Sequence, residues 1–170
     1  MRIALVSPYS WSYPGGVTRH IEALAESLIA TGHSVTVLTP YDPADALSVR
    51  LHSGARPQER ELADYVVSLG RTFGIPSNGS VSNVSVTPTA GARLRRALRE
   101  GNFDVVHVHE PNAGVVSWVA CQTAKSPLVG TFHAFSENKL TQGFGNLLGM
   151  RRMTNRINLR IAVSEAAAWT

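Results

Sequence analysis

A histidine pair separated by one residue is the first feature of this 170-residue chain that could do chemistry. The segment 103–109 is apolar apart from Asp104 and the pair, and as a strand it places His107 and His109 on the same face. Such a pair can begin a metal site, but no convincing set of further Asp, Glu or Cys ligands accompanies it. We therefore expect no metal, with His107 in the core and His109 beside a site at the strand's end.

A third histidine ends its own predicted strand. His133 closes the apolar run 127–133. Ligands of open α/β sheets bind beyond the carboxyl ends of the strands. His133 is therefore the best catalytic candidate, and the alternative is a histidine that caps the strand and is satisfied by the backbone.

A glycine pair lies between a predicted strand, 2–7, and a predicted helix, 16–31. The free N–H groups of a helix N-terminus favour anions, and Gly15 and Gly16 would let a ligand approach the backbone. This predicts a phosphate-bearing substrate. The alternative is a tight turn that requires positive φ. Both the dinucleotide fingerprint and the phosphate loop are absent, which disfavours a nicotinamide-dependent oxidoreductase.

Four arginines fall on one half of a predicted helix, 90–100, opposite its leucines. A solvated helix face is one interpretation. The other is attraction to an anionic bilayer, at about 1 kcal/mol per basic residue. Nucleic acid is a poorer fit, because no aromatic residues are interleaved with the arginines, and we expect no nucleic-acid partner. The four are Arg93, Arg95, Arg96 and Arg99.

The order of the predicted elements gives the fold class. We expect an α/β, Rossmann-like, doubly wound and mostly parallel sheet in a single domain over residues 1–170. Residues 40–64 lack a period and are predicted to be a mobile surface segment, and Asn78-Gly79 is predicted to form a turn. The other predicted strands are 34–39, 65–69, 83–87 and 159–163. The other predicted helices are 113–124, most of 135–158, and one beginning at residue 164.

The composition is that of a globular domain, with 44% hydrophobic and 16% charged residues. No apolar run approaches the roughly 18 residues of a membrane span. Because a predicted strand starts at residue 2, we expect no signal peptide. The single cysteine, Cys121, excludes an internal disulfide and is expected to be buried. We expect a cytoplasmic protein, and its net charge of +4 suits an acidic partner.

Several ordered blocks together resemble the GT-B glycosyltransferases of family 4, and most closely the actinobacterial phosphatidylinositol mannosyltransferases. The resemblance runs from residue 1 to residue 164. The early blocks are Met1-Arg2-Ile3, Pro8-Tyr9-Ser10 and Pro14-Gly15-Gly16-Val17. The later ones are Asn78-Gly79-Ser80, Phe103-Asp104-Val105, His107-Val108-His109-Glu110-Pro111-Asn112, Thr131-Phe132-His133 and Ile161-Ala162-Val163-Ser164.

This resemblance implies the N-terminal, acceptor-side half of a GT-B fold in a retaining glycosyltransferase. The reaction would move mannose from GDP-mannose to a phosphatidylinositol-like lipid, with no tightly bound cofactor and the nucleotide sugar as co-substrate. The family's paired glutamates, seven residues apart, belong to a C-terminal nucleotide-sugar domain that is absent from this chain. The fragment alone is therefore expected to be inactive, and the whole protein peripheral on the inner face of the plasma membrane.

The resemblance also assigns roles to residues. His133 would contact the transferred sugar, and Gly15 and Gly16 would lie against the donor diphosphate and the acceptor. The arginine helix would touch anionic lipid. The expected acceptor-binding residues are Tyr9, Asn78, Ser80, His109 and Glu110.

Two departures from the family pattern concern the acceptor. Ser77 and Asn83 stand where the family has a tyrosine and an arginine. Losing the arginine removes a charge-assisted phosphate contact worth roughly 1.5–3 kcal/mol. One alternative is therefore a family 4 enzyme with another donor or a soluble polyol acceptor. A further alternative is a non-catalytic module that binds an anionic polyol phosphate or a membrane.

Overall fold

The structure is a computed structural model that describes residues 1–77, 80–133 and 150–168. Its main sheet has six parallel strands in the order β3-β2-β1-β6-β7-β8. Chain order reverses direction across the sheet between β1 and β6, as in a doubly wound fold. The predicted fold class is confirmed. The strands are β1 (Arg2–Val6), β2 (Ser34–Thr39), β3 (Val66–Ser68), β4 (Phe73–Ser77), β5 (Ser80–Val84), β6 (Val105–His109), β7 (Leu128–Phe132) and β8 (Leu159–Ala162).

Strands β4 and β5 form a separate antiparallel pair. A bridge between Tyr9 and Val84 joins this hairpin to the loop after β1. The strand predicted at 83–87 instead ends at Val84, because Thr87 and Pro88 already begin a helix. The predicted Asn78-Gly79 turn lies outside the described residues.

The helices are set by local capping signals. The first ends with Gly32 at φ +86°, whose N–H bonds the Ile29 carbonyl, as predicted for a glycine past the helix end. Another begins with Thr87 as its N-cap and Pro88 in its first turn. Among the described residues, no helix is long and apolar enough to cross a bilayer. The helices are α1 (Gly16–Ala30), α2 (Ala46–Leu51), α3 (Pro88–Gly101), α4 (Gly114–Thr123), α5 (Met150–Thr154) and α6 (Glu165–Ala168).

The sheet is covered on both faces, so its central strands are nearly continuous in apolar residues. Helix α1 packs Ile21 and Ala25 into one cluster, and α3 and α4 pack Leu94 and Ala120 into the other. Cys121 is fully buried in the second cluster, and burial raises its pKa to about 11. The expected buried thiol is confirmed. Of the helix predicted over 135–158, the structure describes α5 and the residues that follow it, and residues 134–149 lie outside the described ranges.

Residues 40–64, predicted to be a mobile surface segment without a period, contain an element that the prediction missed. The segment contains α2, whose N-cap Asp45 accepts a hydrogen bond from the Ser48 backbone. Arg71 forms a bidentate ion pair with Asp45, at 2.6 and 2.9 Å. Asp42 and His52 within the segment are buried. Sequence periodicity missed this order because side chains distant in the chain hold it in place.

Candidate active site at the carboxyl edge of the sheet

Three neighbouring strands deliver the candidate residues to one edge. Val6 pairs with Val108, and His109 pairs with Thr131, so β1, β6 and β7 end side by side. The segments that follow β1, β6 and β7 contain Tyr9, Glu110 and His133, respectively. The sequence placed these side chains at strand ends, and parallel pairing brings those ends together.

Four histidines meet at this edge. Nδ1 of His109 lies 3.0 Å from Nε2 of His133, and the two rings are stacked with centroids 5.3 Å apart. His20 approaches both rings edge-on, with centroids 5.6 Å from His109 and 5.2 Å from His133. His107 stacks on His109 at 4.3 Å, and its Nε2 lies 2.7 Å from Oγ1 of Thr131. The site is therefore a packed imidazole cluster with His109 at its centre.

The cluster differs from the sequence prediction in two ways. His107 and His109 share a face as expected, but His109 is fully buried whereas His107, predicted to be the core histidine, is only partly so. The reason is that His133 and His20 cover His109. Sequence reasoning also missed His20. The sequence offered one signal for His20. This residue lies one turn after Gly16, and the helix that begins there starts at the same edge of the sheet.

Three histidines of this cluster, His107, His109 and His133, are poor bases. Burial, with the neighbouring histidines as smaller causes, lowers the pKa of His109 to about 2. Burial, with His20 as a second cause, lowers the pKa of His133 to about 4, and burial likewise lowers that of His107 to about 4. Each of these three rings is therefore neutral at pH 7, with one nitrogen that donates and one that accepts a hydrogen bond.

Glu110 links the histidine cluster to the loop after β1. Its Oε2 accepts a 2.9 Å hydrogen bond from the His133 backbone N–H, and its own N–H donates to the Thr131 carbonyl at 2.7 Å. It adopts φ +50°, a conformation that non-glycine residues favour only where surrounding contacts hold it. Tyr9 lies close by. Burial and the Glu110 charge together raise the pKa of Tyr9 above its ordinary value.

The glycine pair leaves open space at the start of α1. Neither Gly15 nor Gly16 has positive φ, and a Cβ on either would meet nothing within 4 Å. The tight-turn alternative is therefore not needed to explain them. Gly15 is the N-cap and makes no side-chain capping bond, so the first N–H groups of α1 face an exposed opening. The role of this opening stays a prediction.

The buried carboxylate of Asp42 anchors the loop that carries Tyr9. Sequence analysis did not identify this residue. Asp42 accepts 2.6 Å hydrogen bonds from Ser10 Oγ and Thr72 Oγ1. Its backbone N–H donates to Ser12 Oγ at 3.0 Å. Asp42, Ser10, Ser12 and Thr72 are fully buried. This network fixes the path of the loop between β1 and α1.

The remaining predicted acceptor residues lie in or near the β4–β5 hairpin. Asn78 lies outside the described residues, and only the backbone of Ser80 is described, as the first residue of β5. Asn83, at the position where the family carries arginine, accepts a backbone hydrogen bond from Ser10 through its carbonyl. The hairpin therefore lies alongside the Tyr9 loop. The individual roles of Asn78 and Ser80 in binding stay predictions.

The arginine face of α3 is confirmed as a surface. Its four arginines are exposed while Leu94 is fully buried. Arg96 pairs with Glu100 at 2.9 Å, and a Cβ on Gly70, just after β3, would lie 3.5 Å from Nη1 of Arg93. Because α3 runs antiparallel to the strands, its first turns lie at the same edge of the sheet as the histidine cluster.

A metal would find His20 and His133 beside His109, instead of the His107–His109 pair considered in the sequence. His20, His109 and His133 each offer a ring nitrogen, and these atoms lie within 4.8 Å of one another. A tetrahedral zinc site holds its ligand nitrogens about 3.4 Å apart. In the described part of the site, the facing nitrogens of His109 and His133 are already engaged in a hydrogen bond. The expectation that no metal is required stays a prediction.

The chain has close relatives among curated proteins. It is 41% identical over 168 residues to the phosphatidyl-myo-inositol mannosyltransferase of Mycolicibacterium smegmatis, covering 98% of this chain and 39% of that protein. The corresponding enzyme of Propionibacterium freudenreichii is 35% identical over 168 residues, covering 99% and 42%. A glycogen synthase of Mycobacterium tuberculosis is 30% identical over 152 residues, covering 79% and 34%. The chain thus spans about two fifths of the length of the mannosyltransferases.

A solved structure supports the fold. An alpha-glucosyltransferase in complex with UDP and a 13-mer DNA containing a central A:G mismatch aligns with a TM-score of 0.51 at 15% identity. The alignment covers 97% of this chain and 37% of that one. The model of the family described as "Glycosyltransferase Family 4" matches residues 14–170 of this chain. This match covers nearly the whole chain, and the alignments with the mannosyltransferases also cover nearly all of it. The chain therefore belongs to glycosyltransferase family 4.

Proposed function

We propose that the chain is the N-terminal, acceptor-side domain of a retaining mannosyltransferase that uses GDP-mannose and a phosphatidylinositol-like lipid. The observation that carries this proposal is the 35–41% identity to phosphatidyl-myo-inositol mannosyltransferases over nearly the whole chain. A second Rossmann-like domain, carrying the paired glutamates, would hold most of the nucleotide sugar. The described chain supplies one wall of the cleft.

The carboxyl edge of the sheet fits the acceptor side of this reaction. The open N-terminus of α1 at Gly15 and Gly16 presents N–H groups that suit a diphosphate. The neutral ring of His133 would contact the transferred sugar, and Glu110 and Tyr9 would offer hydrogen-bonding groups to a polyol. The acceptor hydroxyl would attack the anomeric carbon from the face that the diphosphate leaves. The departing phosphate oxygen would take the hydroxyl proton.

A membrane surface is the proposed location of the lipid acceptor. The four arginines of α3 are exposed. Several aliphatic side chains in and just after the β4–β5 hairpin are exposed as well: Ile75, Val81 and Val86 are 39%, 58% and 43% exposed. Exposed basic and aliphatic side chains suit an anionic bilayer, with about 1 kcal/mol for each cation near the headgroups. We place the whole protein in the cytoplasm, bound peripherally to the inner face of the plasma membrane.

A second candidate is a family 4 enzyme with another donor or a soluble polyol acceptor. Two observations favour it: Asn83 replaces the family's phosphate-binding arginine, and a glycogen synthase is 30% identical over 152 residues. A non-catalytic module that binds an anionic polyol phosphate is the third alternative.

One assay separates these candidates. The full-length protein is incubated with labelled GDP-mannose and vesicles that contain phosphatidylinositol, or with soluble myo-inositol 1-phosphate in place of vesicles. Transfer to the lipid supports the first candidate, and transfer only to the soluble polyol supports the second. No transfer from any of a panel of nucleotide sugars, despite vesicle binding, would favour the non-catalytic module.

A further inference from the structure

We propose that His109 is a positioning residue that holds neutral His133 in the tautomer with its proton on Nδ1. The tautomer assignment depends on the geometry of the cluster alone. Its consequence for sugar transfer rests on the proposed function, because a protonated Nδ1 of His133 can donate a hydrogen bond to a substrate oxygen and an unprotonated one cannot.

The contact between the two rings requires a choice of tautomer. Nδ1 of His109 faces Nε2 of His133 at 3.0 Å, so one of these atoms must carry a proton and the other must accept it. If His109 donates, its Nε2 is an unprotonated acceptor and His133 carries its proton on Nδ1. If His133 donates, the proton of His109 must be on Nε2.

The burial of His109 decides between the two arrangements. Its ring is fully buried, and its Nε2 has no hydrogen-bond partner among residues 1–77, 80–133 and 150–168. An orphaned buried N–H is among the rarest polar defects in folded proteins, and an unfilled acceptor is tolerated more often. The arrangement in which His109 donates from Nδ1 avoids the orphaned donor. His133 then accepts at Nε2 and keeps its proton on Nδ1.

The surroundings hold the His109 ring in the required orientation. His107 stacks on it with an interplanar angle of 24°, and His107 is itself tied to Thr131 by a 2.7 Å hydrogen bond. The backbone N–H of His133 donates a hydrogen bond to Oε2 of Glu110. The His109 ring and the His133 backbone are therefore each held by contacts other than the one between the two rings. Low histidine pKa values keep His107, His109 and His133 neutral near pH 7, which a tautomer-setting contact requires.

The direct test is the tautomer of His133 in the full-length protein, read from the ¹⁵N chemical shifts of its ring nitrogens by NMR at pH 7. We expect the Nδ1–H form, whereas a free neutral imidazole side chain favours Nε2–H. Detection of His133 as the Nε2–H form would overturn the proposal. This measurement needs no substrate and no variant, so it is decisive even if the protein is not a mannosyltransferase.

Two substitutions separate positioning from packing. In His109→Asn the amide N–H stands the same number of bonds from Cα as Nδ1, so it can still donate to His133. In His109→Leu the volume is kept and the donor is lost. We expect His133 to remain Nδ1–H in H109N and to shift towards Nε2–H in H109L. With mannosyl transfer as readout, kcat should fall at least tenfold further in H109L than in H109N, at a similar KM for GDP-mannose.

Failures of the two ideas are distinguishable. An unchanged His133 tautomer in a folded H109L protein would overturn the positioning role, whatever the activity. Equal kcat values for the two variants, despite a changed tautomer, would overturn its consequence for transfer. Absence of mannosyl transfer by the wild-type protein, with His133 found as Nδ1–H, would overturn only the proposed function.

Discussion

Ser10 Oγ donates a 2.6 Å hydrogen bond to Oδ2 of Asp42, and both side chains are fully buried. This contact joins the loop after β1 to the segment after β2. Thr72, which follows β3, donates to the same carboxylate from its hydroxyl and its backbone N–H. A single carboxylate therefore sets the positions of three strand-end connections at the edge that carries the candidate site.

Replacement of Asp42 by Asn should destabilise the fold. An amide presents a donor where the carboxylate accepts, and the hydroxyls of Ser10 and Thr72 then lose an acceptor in a fully buried place. We expect a loss of about 2–4 kcal/mol in the free energy of unfolding, measured by urea denaturation. The exposed Asp64→Asn is the control, with an expected change within about 0.5 kcal/mol. Equal stability of the two variants would refute the anchoring role.

His133→Ala should abolish transfer while the fold survives. His133 is only partly buried, and its main structural hydrogen bond uses the backbone N–H, which the substitution keeps. We expect kcat of the full-length enzyme to fall at least about a hundredfold, the scale of a positioned catalytic group. Circular dichroism should be unchanged. His33→Ala, at the other end of α1, is the matched control, and near-normal turnover by His133→Ala would remove His133 from the site.

Gly16→Ala should impair binding rather than folding. In the structure an added Cβ meets nothing within 4 Å, so the melting temperature should stay the same. The methyl group would occupy the opening in front of the α1 N-terminus, and we expect kcat/KM for the nucleotide sugar to fall at least about tenfold. Glu26→Ala, on the exposed face of the same helix, controls for general effects on α1. Unchanged kcat/KM in Gly16→Ala would show that no ligand approaches this opening closely.

The arginine face of α3 should control membrane binding. Replacing Arg95 and Arg99 by Gln removes two exposed cations, and at about 1 kcal/mol each this predicts about a 30-fold weaker partition onto phosphatidylinositol-containing vesicles. Replacing Arg50 and Arg56, which are also exposed, makes the same charge change elsewhere. Co-sedimentation at low and high salt measures the effect. A similar loss for both pairs would mean that net charge, rather than this face, attracts the bilayer.

The histidine cluster should make stability fall in mild acid. The pKa of His109 is about 2 in the folded chain, below its ordinary value of 6.5. Between pH 6.5 and 5 the unfolded chain therefore binds a proton at this position that the folded chain does not, and lowering the pH favours unfolding. The expected contribution is about 1.4 kcal/mol per pH unit for one such histidine.

His109→Asn removes this titration while keeping a donor at the same place. Urea denaturation of wild-type and variant proteins at pH 6.5 and pH 5 should show a pH-dependent loss about 2 kcal/mol smaller in the variant, over 1.5 pH units. Stability above pH 7 should not depend on pH through this residue, because both states are then neutral. An identical acid-induced loss in the two proteins would contradict a low His109 pKa.

Most of the sheet and its helices could be predicted from local signals. The β-branched runs at β2 and β6, the Gly32 cap and the apolar face of α3 each specify an element from a few adjacent residues. Asp42 and α2 could not be predicted in this way. The positions of Asp42 and α2 depend on contacts with Ser10, Thr72 and Arg71. Contacts between residues far apart in the chain produce no periodic pattern in a single sequence.

The sequence by itself determined the fold class, the family resemblance and the strand ends at which chemistry should occur. It also identified His133 and the glycine pair, because strand ends and helix starts are set by local residue types. Only the tertiary structure decided which histidines touch. Parallel pairing of β6 with β7 places His109 against His133, and the packing of α1 adds His20. Burial, which makes the rings of His109 and His133 neutral, is a property of the packed fold and cannot be read from any segment alone.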